Sequence, residues 1–126
     1  MTDLDQAALE NAMPGRAIRS YPAQLSTEAT AMAWARDGAE PGAVVVADYQ
    51  ASPRGRGGLP WVTQPGVGLG FTLLLRPELP PEREGWPYVP ALLALYDVTG
   101  AQGTATLVWP DEVHASDGTP LARLGV

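Results

Sequence analysis

The sequence predicts an α+β fold in which a mostly antiparallel sheet has helices on one face. Two segments have the apolar patterns of strands, because residues 43–47 are continuously apolar and residues 67–75 alternate. Thirteen prolines and fourteen glycines favour short elements joined by many turns over a helical bundle. The length of 126 residues fits one domain, residues 1–126, with its own core.

Periodicity and turn residues define each element in order. Gly38 is a natural stop for the second helix, Pro87 fits the first turn of the third, and Asp117-Gly118 predicts the last turn. Residues 67–75 have the period of a half-buried strand, whose apolar row includes Phe71 and Leu73. The predicted elements are helix 2–13, strand 17–21, a helix from residue 26 or 27 to 36, strand 43–50, strand 67–75, helix 87–97, strand 104–109 and strand 121–126.

Composition and charge exclude several classes of protein. A net charge of −6 argues against a nucleic-acid partner, since such proteins normally carry a basic surface. The chain has no cysteine, which removes disulfides and thiolate metal sites, and we expect no metal site. No apolar run has the length of a signal peptide or a membrane span. A cytoplasmic protein with no membrane partner is therefore expected.

The loop over residues 48–61 is the most informative segment. It places Arg54 and Arg56 beside three glycines and ends at Trp61. The arginine fork fits carboxylate and phosphate oxygens, and glycines let the backbone approach a ligand closely. The loop therefore indicates a site for an anionic ligand with an aromatic group. Taken alone, such arginines are more often solvated, and such a tryptophan more often belongs to the core.

This loop and the motifs around it resemble the biotin–protein ligases. The family's loop pattern is roughly E-Y-Q-x-x-G-R-G-R-x-G-x-x-W, and the matching positions are Asp48, Tyr49, Gln50, Arg54, Gly55, Arg56, Gly58 and Trp61. Further motifs follow in the family's order. They are Ser26-Thr27-Glu28 at S-T-N, residues 65–69 at P-x-G-x-L, residues 108–112 at K-W-P-N-D and residues 120–124 at K-L-A-G-I-L.

The resemblance runs from Ser20 onward and leaves residues 1–14 outside it. It implies a biotin/lipoate–protein ligase type of catalytic domain, which is class II synthetase-like. The chain stops where that domain still adds strands and helices, so a truncated version is expected.

What the resemblance implies about function is specific. The family joins biotin and ATP into biotinyl-adenylate and passes biotin to a lysine of a carrier domain. By resemblance, Ser26, Thr27 and Gln50 border the biotin head group, although Ser26 is as well explained as a helix cap. Arg54 and Arg56, in the loop with Gly55 and Gly58, face the carboxylate and phosphate, and Trp61 packs near the adenine. Biotin, biotinyl-adenylate and ATP are the ligands implied.

Departures from the motifs weaken the expectation of catalysis. Val108 replaces the family's lysine, a point charge aimed at the reacting carboxylate and phosphate. Asp111 and Glu112 replace an Asn-Asp pair and add repulsion beside an anionic site. Pro53 replaces a loop glycine and removes an N–H donor. Without the motif, Asp111 and Glu112 read as a solvated turn rather than a metal pair, and His114 as an exposed side chain.

We therefore expect a degenerate ligase-like domain without catalytic activity, acting as a small-molecule-binding or protein-interaction module. An alternative is a working ligase subunit, whose lysine and remaining site come from a partner chain. A third is a remnant that folds but has no function. Missing strands would leave an open sheet edge, which a second copy or another chain could cover. A biotin carrier domain is the further partner that the resemblance implies.

Overall fold

The structure, a computed structural model, describes residues 3–62, 64–101 and 103–126. It divides into two compact units. The first comprises residues up to Arg54 together with Pro60–Pro77, and the second comprises Gly55–Leu59 and Glu78–Val126. The assignment of residues 1–126 to one domain stays a prediction.

The first unit is a three-stranded sheet with two helices. Its elements are α1 (Gln6–Ala12), β1 (Ile18–Gln24), α2 (Thr27–Arg36), β2 (Val44–Gln50) and β3 (Gly70–Leu73). The strand order is β1-β2-β3, with β1 parallel to β2 and β3 antiparallel to β2. Helix α2 is the crossover that a parallel pair requires.

The helices of the first unit cover opposite faces of its sheet. Leu9 of α1 packs with Ile18, Val44 and Val46, whereas α2 covers the cluster around Leu74. Since successive strand residues point to opposite faces, and Leu74 lies opposite Ala43 rather than Val44, the two clusters lie on different sides. This arrangement refines the expectation of helices on one face.

Local capping signals placed α2 correctly. The Ser26 hydroxyl accepts a hydrogen bond from the Ala29 N–H at 3.0 Å, which makes Ser26 the N-cap. At the other end, Gly38 has a positive φ of 99°, and the Ala39 N–H donates back to the Trp34 carbonyl at 3.0 Å. This is the Schellman ending that a glycine favours.

The apolar row of β3 was expected to be its buried face, but the other row is the buried one. Phe71 and Leu73 are 49% and 44% exposed, whereas Leu74 is buried. Thr72 and Leu74 of the other row face α2, since the Thr72 hydroxyl contacts that of Thr27 and Leu74 packs in the cluster that includes Trp34 and Ala35. The strand period was predicted correctly, and its buried face was not.

The second unit packs one helix against an antiparallel sheet. Its elements are α3 (Tyr88–Gly100), β4 (Ala105–Val108), β5 (Glu112–Ala115) and β6 (Pro120–Arg123), with 3-10 turns at Arg56–Gly58 and Pro81–Arg83. The core consists of Leu92, Val113 and Leu124. The predicted Asp-Gly turn joins β5 to β6, where hydrogen bonding by Thr119, chiefly from its backbone, holds the pKa of Asp117 below its ordinary value.

The α+β class with mostly antiparallel pairing is therefore confirmed. Among the residues that the structure describes there are four strand pairings, and only that of β1 with β2 is parallel. Within the part of the chain that the structure describes, no helix is both long and apolar enough to cross a membrane.

Candidate ligand site

A buried polar cluster lies where β2 ends and α2 begins. Gln50 accepts two hydrogen bonds through its Oε1, from the Thr27 N–H at 2.8 Å and from the Thr27 hydroxyl at 3.1 Å. The Thr27 hydroxyl also lies 2.8 Å from that of Thr72 on β3. Ser26, Thr27 and Gln50 are the three buried polar residues among those described. Three residues assigned to the head group by resemblance are thus brought together.

The orientation of the Gln50 amide follows from its partners. The Thr27 N–H can only donate, so the atom that receives it must be the amide oxygen. The Nε2 group therefore points the other way, over Gly70 on β3, where a Cβ would overlap it. A side chain at position 70 would make the Gln50 amide shift, and Nε2 is a donor that the Thr27 contacts do not use.

The two ends of the predicted loop lie in the first unit, where backbone contacts join them. Pro53 is buried, Arg54 pairs with Pro60 in a short antiparallel bridge, and the Trp61 N–H donates to the Pro53 carbonyl at 3.4 Å. Trp61 is half-buried and Arg54 is exposed. Pro53, which the motif comparison treats as a defect, therefore serves as a packed residue and an acceptor.

The tip of the loop, Gly55–Leu59, belongs to the second unit. Gly57 and Gly58 have positive φ of 65° and 76°, a backbone region that favours glycine. Arg56 is exposed but not unpaired, because its Nε donates to Asp111 Oδ2 at 3.2 Å. The prediction of Asp111 in a solvated turn was wrong in this respect, since its carboxylate is mostly covered and ion-paired.

The position of the missing lysine lies on one face of the second sheet. Val108 on β4 is the register partner of Glu112 on β5, and Glu112 is the partner of Arg123 on β6. Cross-strand partners share a face, so these three side chains form a row. Arg123 Nε lies 2.5 Å from Glu112 Oε1, which pairs this cation internally. Glu112 is thus a strand residue rather than part of a turn.

His114 lies beside that row and is less exposed than expected. Its side chain is 25% exposed, and its Nε2 lies 3.5 Å from Glu112 Oε2 without a hydrogen-bond partner. The expectation of an exposed histidine did not include strand β5. Residues two apart on a strand share a face, so the ring lies beside Glu112. Among the described residues, no group of three histidine, cysteine or acidic side chains could hold a metal ion.

The sequence reasoning missed three contributors to these arrangements. Thr72 joins the buried cluster, Asp111 pairs with Arg56, and Gly125 lies against the loop tip. Thr72 and Gly70 form the small-residue row of β3, a signal that could have identified the face covered by α2. The motif comparison marked Asp111 as an acid beside the anionic site, but nothing local indicated its pairing with Arg56 or the position of Gly125. The roles of the predicted site residues toward a ligand stay predictions.

The fold has a match among solved structures. The chain has a biotin–protein-ligase-like fold, aligning with the crystal structure of biotin acetyl coenzyme A carboxylase synthetase from Helicobacter pylori, with bound biotinylated ATP. The TM-score is 0.59 at 21% sequence identity, and the alignment covers 79% of this chain and 49% of that one. No family model matches the chain.

Sequence relatives make the assignment more specific. The chain is 35% identical over 92 residues to the bifunctional ligase/repressor BirA of Bacillus spizizenii, and 31% identical over 109 residues to BirA of Bacillus subtilis. These alignments cover 70% and 83% of this chain, but only 28% and 33% of the relatives. The chain is therefore a homologue of BirA over part of BirA's length, and the resemblance to biotin–protein ligases is confirmed.

Proposed function

We propose that this chain is a biotin-ligase-related binding module, which holds a biotin-like acid or its adenylate without forming the adenylate itself. The observation that carries the proposal is a contrast within the chain. The buried cluster of Thr27, Gln50 and Thr72 is complete, while Val108 stands where the family's motif has lysine. A cytoplasmic location is part of the same proposal.

The buried cluster supports binding. Burying an amide and two hydroxyls costs free energy unless they are hydrogen-bonded, and here each has a partner inside the unit. The Gln50 Nε2 group remains available to donate to a carbonyl oxygen of a ligand. A ureido or amide head group has the acceptor that this donor needs.

The absence of lysine supports a non-catalytic role. All eight basic residues of the chain are arginines, so it contains no lysine that could replace the one missing at Val108. Joining a carboxylate to a triphosphate brings two anions together and requires cations placed at the reacting atoms. The cation nearest to Val108 in register is Arg123, and Glu112 already neutralises it.

Calorimetry and an exchange assay test this proposal. The purified protein is titrated with biotin, lipoate, ATP and biotinyl-adenylate, and biotin-dependent ATP–pyrophosphate exchange is measured in parallel. We expect heat with biotin or biotinyl-adenylate and no exchange. Exchange at a ligase-like rate would overturn the non-catalytic reading, and no heat with any ligand would overturn binding.

Restoring the lysine should strengthen binding of the adenylate. Val108→Lys restores the cation that the family's motif has at this position, and since Glu112 is already paired with Arg123, we expect roughly tenfold tighter binding of biotinyl-adenylate. The control is Leu107→Lys, which adds the same charge at the preceding position of β4, on its other face. Equal affinity for both variants would mean that position 108 does not face the ligand.

A second candidate function is a working ligase subunit completed by a partner. The observation that favours it is an apolar row along the edge strand β3 and the residues that flank it, in which Leu69, Phe71, Leu73 and Leu75 are all exposed. Exposed apolar rows of this kind mark interaction surfaces. A partner chain would cover the row and supply the lysine, and a biotin carrier domain would then be the acceptor.

Light scattering tests whether that partner is a second copy of the chain. We expect a dimer that Phe71→Lys converts to a monomer, since a buried charge disfavours an apolar interface. Val62→Lys is the matched control, because it adds the same charge to an exposed residue of the same unit. A monomer of the unchanged protein at all concentrations would contradict self-association.

A further inference from the structure

We infer that the loop tip is held by an internal latch in which Asp111 occupies the anion-binding side of Arg56. The latch consists of the Arg56–Asp111 ion pair and the backbone contact of Gly125 with Gly55 and Arg56. Every part of it lies in the second unit. The latch itself does not depend on the proposed function, whereas its competition with a ligand does.

The ion pair joins two segments that are distant in sequence. Asp111 lies between β4 and β5, 55 residues after Arg56, and its side chain is 18% exposed while that of Arg56 is 47% exposed. The Asp111 carbonyl also accepts from the Leu124 N–H at 3.0 Å, which anchors this turn to the segment after β6. The backbone of this turn is therefore held in place, and the Asp111 carboxylate is the more covered member of the pair.

The glycine contact is an independent observation at the same place. A Cβ at Gly125 would lie 2.7 Å from the Gly55 carbonyl carbon and 2.9 Å from the Arg56 nitrogen. Both are backbone atoms, so they could not yield as a flexible side chain would. The loop tip thus rests directly on the main chain after β6, and only glycine leaves room for it.

The geometry of the pair indicates which ligands can release the latch. Asp111 engages Arg56 through Nε, whereas a planar guanidinium can present two parallel donors to one oxyanion. A ligand with a phosphate or polyphosphate group can offer more oxygens and more charge than one carboxylate. A phosphate-bearing anion is therefore the competitor that takes Arg56 from Asp111.

Limited trypsin digestion tests the latch without any ligand. Cleavage of the Arg56–Gly57 bond requires the arginine to enter the acidic pocket of the protease, and an Arg54→Gln background leaves this as the only tryptic bond of the loop. Because exposed ion pairs are weak, we expect Asp111→Asn to raise the cleavage rate by about twofold to fivefold. Asp97→Asn, which removes the same charge from the exposed surface of α3, should leave the rate unchanged.

Two further measurements make the test specific. High ionic strength should raise the rate for the unchanged protein and have little effect on Asp111→Asn, since salt screens the pair. Gly125→Ala should raise the rate at least as much, through the backbone contact rather than through charge. Equal rates for Asp111→Asn and Asp97→Asn, at equal thermal stability, would overturn the latch.

Binding of inorganic pyrophosphate tests the competition separately. Calorimetry should give about twofold to fivefold tighter binding to Asp111→Asn than to Asp97→Asn. Equal affinities would overturn the competition while the proteolysis result still decides the latch. No binding to either variant would overturn the competition too. The biotin and biotinyl-adenylate titrations, which do not use pyrophosphate, test the proposed function separately from this competition.

Discussion

Leu92→Ala should lower the free energy of unfolding by about 2–5 kcal/mol, the cost typical of a large-to-small change in a packed core. Leu92 is 2% exposed and packs with Val113 and Leu124, the other buried residues among those described in the second unit. The core of this unit is small, so few neighbouring side chains can move to fill the cavity that the three missing carbon atoms leave. Urea unfolding followed by circular dichroism measures the change.

The adjacent residue supplies the control for that prediction. Leu93 lies on the same helix with the same side chain but is 49% exposed, so Leu93→Ala should change stability by only about 0.5 kcal/mol. Similar losses for both variants would contradict the assignment of Leu92 to the core. A smaller loss for Leu92 than for Leu93 would mean that α3 presents its other face to the sheet.

Elements fixed by nearby residues were the ones predictable from sequence. Ser26 caps α2 through an N–H three residues away, Gly38 ends it, and Asp117-Gly118 forms the turn between β5 and β6. Each signal acts within a few residues, so no knowledge of the tertiary structure was needed. The continuous apolar run before Gln50 likewise predicted a strand that is buried on both faces.

Contacts between distant segments were not predictable in the same way. Both rows of β3 contain leucine, so the alternation alone could not decide whether Leu73 or Leu74 faces the core. The choice is made by α2, whose Thr27 meets Thr72. Arg56 was expected to await an anion from a ligand, and the structure pairs it with Asp111 instead. The sequence shows that an arginine is charged, but its ion-pair partner depends on which distant residues the fold brings next to it.

The largest functional effect is expected from Gln50→Leu. The substitution keeps the approximate volume but removes the acceptor of two hydrogen bonds, which leaves the buried Thr27 N–H without a partner. An orphaned buried donor costs about 1–3 kcal/mol, so the free energy of unfolding should fall by that amount. The lost Nε2 donor should also abolish detectable binding of biotin or biotinyl-adenylate in calorimetry.

Gln24 provides a closely matched control, because it is the register partner of Gln50 on the neighbouring parallel strand. Its Oε1 accepts from the Thr30 hydroxyl at 2.8 Å in a half-buried setting, and that hydroxyl also reaches the Ser26 carbonyl. Gln24→Leu should therefore cost about 0.5–1 kcal/mol and leave ligand binding intact. If both variants lose binding equally, the effect belongs to the sheet as a whole. If Gln50→Leu keeps full affinity, the buried cluster is structural, and the ligand must be sought elsewhere in the chain.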